Sequence, residues 1–252
     1  MTRPETFPLS LCPTGIVPQR TDSPHVPLSP AEIVDDVLLC AEKGISSVHL
    51  HARHPNGDPA WERDIFAEII SGIRAERTDL VICVTTSGRV ESDVSKRSDV
   101  LALDGDLKPD MASLTLSSMN FAASASINSP QTVQALADTM QQRGIIPELD
   151  IFDTGMVNYL HYLRQKNILT PPFVVNLLLG GVARSQATPL DLGFLVERLP
   201  EGALWSAAGM GRSQLAANTL ALASGGGVRV GLEDNLYHDD DRTTLATNVG
   251  LV

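Results

Sequence analysis

The chain has 252 residues, 43% of them hydrophobic, which suffices for one sizeable core, and its 30 acidic against 19 basic residues leave a formal charge of −11. Such a surface repels nucleic-acid backbones and anionic lipid, and no stretch reaches the roughly 18 apolar residues of a membrane span or has the form of a signal peptide. A cytoplasmic protein with neither nucleic-acid nor membrane partners is therefore expected. The three cysteines, Cys12, Cys40 and Cys83, are odd in number and without paired spacing, as suits reduced, buried thiols rather than a disulfide framework or a zinc ribbon.

In chain order the first strand is "FPLSLC", followed by a long Pro-rich loop, "TGIVPQRTDSPHVPLSP". A helix, "SPAEIVDDVLLCAEKG", then opens on a serine cap and closes on Gly44. The strands "SSVHLHA", "LVICVTT" and "DMASLTL" come next, before a second capped helix, "SPQTVQALADTMQQRG". "IIPELDIF", "PFVVNLLL", "ALWSAAG" and "GVRVGLE" complete a set of eight strands, each expected to be followed by a helix. The alternation also suits a doubly wound open sheet, but eight βα units in about 250 residues favour a single-domain (β/α)8 TIM barrel over 1–252. The chain stops at "TTLATNVGLV", where an eighth helix should only be starting. Either the helix is short, or another subunit covers that side of the barrel, or the chain is truncated.

Strand periodicity gathers the polar residues. On "SSVHLHA", His49 and His51 share the inward face while Val48 and Leu50 face the covering helices. Both imidazoles then stand at the strand's carboxyl end, the rim where TIM-barrel sites are built. Arg229, Gly231 and Glu233 share one face of the last strand, Glu148 and Asp150 point inward from the fifth, Ser113 and Thr115 from the fourth, and Thr85 from the third. A lone H-x-H is more often a hydrogen-bonded pair than a metal site. With Glu233 beside it, it becomes a three-ligand set that leaves zinc an open position and equally suits Fe(II). The pairing of Arg229 with Asp234 is either a structural ion pair or a catalytic one, and its place beside the ligand set favours catalysis. The run "TTSGR" brings Thr85, Thr86, Ser87 and Gly88 to one strand end, where hydroxyls and an amide can grip a carboxylate. His54 reads as a loop residue, and "AAGMGRSQ" as an ordinary βα turn.

Taken together, "HLHAR", "TTSGR", "PDMASLTLSSMNF", "PELDIFDTGM" and "VRVGLEDN" resemble, in order and spacing, the β-keto acid cleavage enzymes. The resemblance implies a zinc-dependent TIM barrel, a homotetramer, that converts a β-keto acid and acetyl-CoA into acetoacetate and a new acyl-CoA by Claisen and retro-Claisen steps. It implies His49, His51 and Glu233 as zinc ligands, Asp234 as the base oriented by Arg229, and catalytic positions at Thr85 and Asp150. Thr86, Ser87, Gly88, Ser113, Thr115, Glu148 and Val17 would contact substrate. Thr85 replaces the family's serine and Asp150 its glutamate. Val17 stands where members handling an amino-bearing substrate carry a carboxylate, which implies a neutral substrate tail. The alternatives are a metal-dependent hydrolase or aldolase on the same barrel, or a barrel that only binds a ligand.

Overall fold

Eight short, apolar parallel strands close into a barrel in the computed structural model, which describes residues 6–252. They are β1 (Leu9–Leu11), β2 (Ser47–Leu50), β3 (Val81–Val84), β4 (Met111–Thr115), β5 (Ile146–Ile151), β6 (Val174–Leu179), β7 (Leu204–Gly209) and β8 (Gly227–Val230). Each pairs with its neighbours in chain order, and β1 closes the ring against β8 through Leu9↔Val228 and Leu11↔Val230. All eight strands expected from the sequence are present, and closure excludes the open-sheet alternative.

The helices form where caps and apolar periodicity coincide. In α1 (Pro30–Ala41) the Ser29 side chain accepts from Glu32 N while Glu32 Oε2 accepts from Ser29 N at 3.0 Å, and Ile33, Val37 and Cys40 are buried on one face. After α2 (Arg63–Glu76), the connection from β3 to β4 departs from expectation. It holds only the one-turn α3 (Val94–Arg97) and two 3₁₀ turns, because Asp, Ser and Gly interrupt "SDVSKRSDVLALDGDLKPD" before a longer helix can propagate. Then follow α4 (Pro130–Arg143), capped by Ser129 and Gly144, α5 (Thr154–Gln165), α6 (Pro189–Glu197) and α7 (Gln214–Ala223). The last helix, α8 (Asn248–Leu251), is a single turn. Its Asn248 donates to Pro13 O at 3.0 Å and to Asp36, and accepts from Leu232 N at 2.8 Å, fixing the chain just ahead of Glu233.

The exit from β8 requires a glycine. Gly231 has φ +147°, and a Cβ there would lie 2.1 Å from Cys12 O. That same carbonyl accepts from Glu233 N at 3.2 Å, while Gly231 O accepts from Asp234 N at 3.1 Å, so the turn aims two successive acids into the barrel mouth. Gly231→Ala should therefore destabilise the chain by about 2–4 kcal/mol, read as a lowered midpoint in thermal or denaturant unfolding. An unchanged midpoint would contradict the close approach.

Candidate active site

Three donor groups from β2 and the β8 exit meet at the mouth: His49, His51 and Glu233 offer ligand atoms that all lie within 4.8 Å of one another. His49 Nε2 and His51 Nε2 are 3.3 Å apart, and His51 Nε2 lies 3.5 Å from Glu233 Oε1. Donors about 2.0–2.1 Å from a tetrahedral ion sit roughly 3.3 Å from each other, so these spacings are those of a ligand set. Glu233 Oε1 accepts from Arg229 Nη2 at 2.6 Å, whereas its Oε2 is buried without a hydrogen-bond partner and remains available to a cation. The residues fit a divalent metal.

A second trio, His49, Cys83 and Glu148, has similar proximity. There, however, His49 Nδ1 donates to Glu148 Oε2 at 2.7 Å and Cys83 Sγ donates to the same oxygen at 3.3 Å. At 2.7 Å a nitrogen and an oxygen share a proton and leave no room for an ion between them. Glu148 thus sets the imidazole's orientation and tautomer, turning Nε2 toward the mouth. Burial and the Arg229 charge oppose protonation of His49, but Glu148 and Glu233 outweigh them and raise its pKa. Burial lowers that of His51 despite Glu233. Burial alone would raise Glu233, but Arg229 and both histidines hold it well below the usual carboxylate range.

Beside this set Arg229 Nε donates to Asp234 Oδ2 at 2.9 Å, and Cys12 Sγ donates to the same oxygen at 3.1 Å. Gly211 N binds the Asp234 carbonyl at 2.7 Å, so both its backbone and its carboxylate are fixed. Arg229 is 2% exposed yet faces two carboxylates, which keep it ionised against the cost of burial.

The cavity above these groups encloses about 690 Å³ out to its open mouth. It receives most of the residues expected from the sequence: Thr85, Ser87, Ser113, Thr115 and Asp150 line it with Arg229, Asp234 and the three candidate ligands, and Val17, half exposed, stands at its edge. Burial and then the charge of Glu148 push Asp150 up to about 7, and its Oδ1 has no partner. Thr86, Gly88 and Glu148 do not reach the cavity, contrary to the expectation that they contact substrate. Thr86 Oγ1 donates to Ser113 O at 2.6 Å, locking β3 to β4, and a Cβ on Gly88 would meet Arg97 Nη1 at 2.6 Å. Glu148 lies beneath His49.

Other residues at the site were given no role by the sequence. Arg53 holds the first loop by donating to Gly15 O at 2.9 Å and to Pro18 O, which places Val17. Arg89 and Arg184 enter the cavity beside Phe121 and Phe152. Two histidines outside the site have ordinary roles: His54 lies 3.6 Å from Glu62, and His161 Nε2 contacts Arg198 O at 2.7 Å.

The family profile described as beta-keto acid cleavage enzyme matches residues 8–252. The chain belongs to this enzyme family. It is 33% identical to a 3-keto-5-aminohexanoate cleavage enzyme of Fusobacterium nucleatum subsp. nucleatum over 87% of this chain and 79% of that one. It is 34% identical to the 3-oxoadipate:acetyl-CoA acetyltransferase of Cupriavidus necator, over 97% of this chain and 85% of the relative. A 3-dehydrocarnitine:acetyl-CoA trimethylamine transferase of Rhizobium meliloti is 31% identical over 95% and 85%. Among solved structures, ObcA in ternary complex superposes with a TM-score of 0.76 at 21% identity, covering 90% of this chain and 60% of ObcA, a likeness of fold. The chain thus spans about three fifths of ObcA's length. No helix among the described residues is long and apolar enough to cross a membrane.

Proposed function

We propose that this β-keto acid cleavage enzyme binds zinc through His49, His51 and Glu233 and converts a β-keto acid and acetyl-CoA into acetoacetate and a new acyl-CoA. The observation that carries the reading is the convergence, at one mouth, of a fitting ligand set and a fixed carboxylate, Asp234, that is 9% exposed and lines the same cavity. Bound there, the metal supplies a Lewis acid that stabilises negative charge on a keto oxygen.

The remaining work falls to side chains. Asp234 takes the proton from the carbon between ketone and carboxylate, with Arg229 and Cys12 holding it in place. Thr85, Ser87 and Ser113 offer hydroxyls to the substrate carboxylate. The resulting carbanion attacks the acetyl thioester carbon and expels CoA thiolate. The thiolate then attacks the original ketone carbon, the bond to the former α-carbon breaks, and acyl-CoA leaves. Asp234 returns its proton to that carbon, giving acetoacetate. Atoms and protons balance without an oxidant or a second base.

Val17 places no carboxylate at the cavity edge to pair an ammonium group, so a cationic tail is disfavoured. The relatives' names include 3-keto-5-aminohexanoate, 3-oxoadipate and 3-dehydrocarnitine, tails of differing charge, so this chain's own cavity residues decide the substrate. The test is acetyl-CoA-dependent acetoacetate release from a panel of β-keto acids, with zinc measured on the same preparation. Turnover of none of them, or activity without any bound metal, would defeat the reading.

A further inference from the structure

We infer that Arg89 and Arg184, flanking Phe121, form a subsite for a second carboxylate at the far end of the substrate, so that the substrate class is a dicarboxylic β-keto acid. This rests on the reading above and replaces the neutral tail that Val17 alone suggested.

The Arg89 guanidinium carbon lies 3.8 Å from the Phe121 ring centroid and that of Arg184 lies 4.9 Å from it, with Arg184 also 4.7 Å from Phe152. The two rings meet edge to face with centroids 6.4 Å apart, an aromatic corner that fixes the plane of a guanidinium and leaves its N–H edges free. Arg184 forms no ion pair among the described residues, and its Nε and Nη1 are buried without a hydrogen-bond partner. Buried, unsatisfied guanidinium N–H groups are costly, and a carboxylate met edge-on, across Nε and Nη2 or across Nη1 and Nη2, satisfies one of them while pairing the charge. Arg89 donates from Nε only to Ser124 Oγ, at 3.2 Å. Burial, together with the mutual repulsion felt by Arg184, works against both charges, as expected of a pair assembled for an anion.

The position suits a tail rather than the reacting end. Arg184 follows β6, four strands round the ring from β2, and so approaches from the side of the mouth opposite His49 and His51. The hydroxyls of Thr85, Ser87 and Ser113 already serve the carboxylate next to the ketone. The Arg184 loop is held in shape, since Ser185 N donates to Phe152 O and Gly180 N to Ser185 O, both at 2.9 Å. The subsite is therefore preorganised.

Two measurements test this. Titration calorimetry compares adipate with hexanoate, stable acids of equal length, and steady-state kinetics compares 3-oxoadipate with 3-oxohexanoate at saturating acetyl-CoA. The wild-type chain should prefer the dicarboxylate by about tenfold or more in both Kd and kcat/KM. Arg184→Met and Arg89→Met should each cut that ratio to within about threefold, with zinc content retained, and Arg184→Lys should recover part of it. Equal affinity for adipate and hexanoate in the wild-type chain overturns the inference, as does a preference that survives both methionine variants. A rise in the KM for acetyl-CoA alone in Arg184→Met also overturns it, and marks the pair as a CoA phosphate anchor. If Arg184→Met does not fold, the wild-type comparison and Arg89→Met decide. Binding preference for adipate without turnover of either keto acid would defeat the cleavage reading and leave the anion subsite standing.

Discussion

Asp234→Asn should leave a folded chain that still binds zinc and turns over about 10² to 10⁴ times more slowly, because an amide cannot accept the α-proton. The substitution is nearly isosteric. Its oxygen can still accept from Arg229 Nε and from the Cys12 thiol, so the local geometry has partners for it. What changes is charge: Arg229, buried, keeps only Glu233 as a counter-ion, and some stability is lost along with the base. The two effects are separable. Steady-state turnover reads the base, elemental analysis reads the metal, and an unfolding curve reads the ion pair. Near-normal turnover in a variant that unfolds early would make Arg229 and Asp234 a structural pair, and the base would have to be sought elsewhere in the cavity.

Equally large effects are expected on metal content. His49→Ala and Glu233→Gln should each strip most zinc during dialysis against a mild chelator, since a three-residue set loses a third of its donors with either change. Glu148→Gln tests a different part of the structure. Its carboxylate touches no cavity but accepts the hydrogen bond from His49 Nδ1 at 2.7 Å, and an outer partner of this kind is worth about 10- to 100-fold in metal affinity. An amide in its place can present its NH₂ to the ring and favour the other tautomer. Competition with a chromophoric chelator should rank the variants wild type, Glu148→Gln, then His49→Ala and Glu233→Gln. Full zinc retention in both ligand variants would remove the ligand assignment. Loss in Cys83→Ser as deep as in Glu233→Gln would instead shift the ion to the lower trio.

The eight strands were legible in the sequence because each is a short, mostly apolar run whose central residues are buried on both faces, a pattern that local composition alone produces. The inward direction of His49, His51, Asp150 and Arg229 was legible for a similar reason, since alternation along a strand needs no knowledge of its partners. Depth is another matter. Glu148 and Asp150 both point inward, but they sit two residues, roughly 6.6 Å, apart along β5. Pairing with β4 sets Glu148 level with Ser113 and Asp150 level with Thr115. The lower acid ends beneath a histidine and the upper one faces the cavity, a distinction that belongs to the stagger of the closed barrel and not to any one strand. Thr86 and Gly88 were misplaced in the same way, because the run "TTSGR" marks a strand end without saying which residues Arg97 will pack against.

Arg89, Arg184, Phe121 and Phe152 arise from loops after β3, β6, β4 and β5 and are separated by more than 30 residues in every pairing, so no local period links them. Side-chain chemistry and strand alternation are properties of the chain and fix the barrel, the candidate ligands and the candidate base. Closing the ring decides which layer each inward residue occupies and brings Arg89, Arg184 and Phe152, each from a different loop, to Phe121.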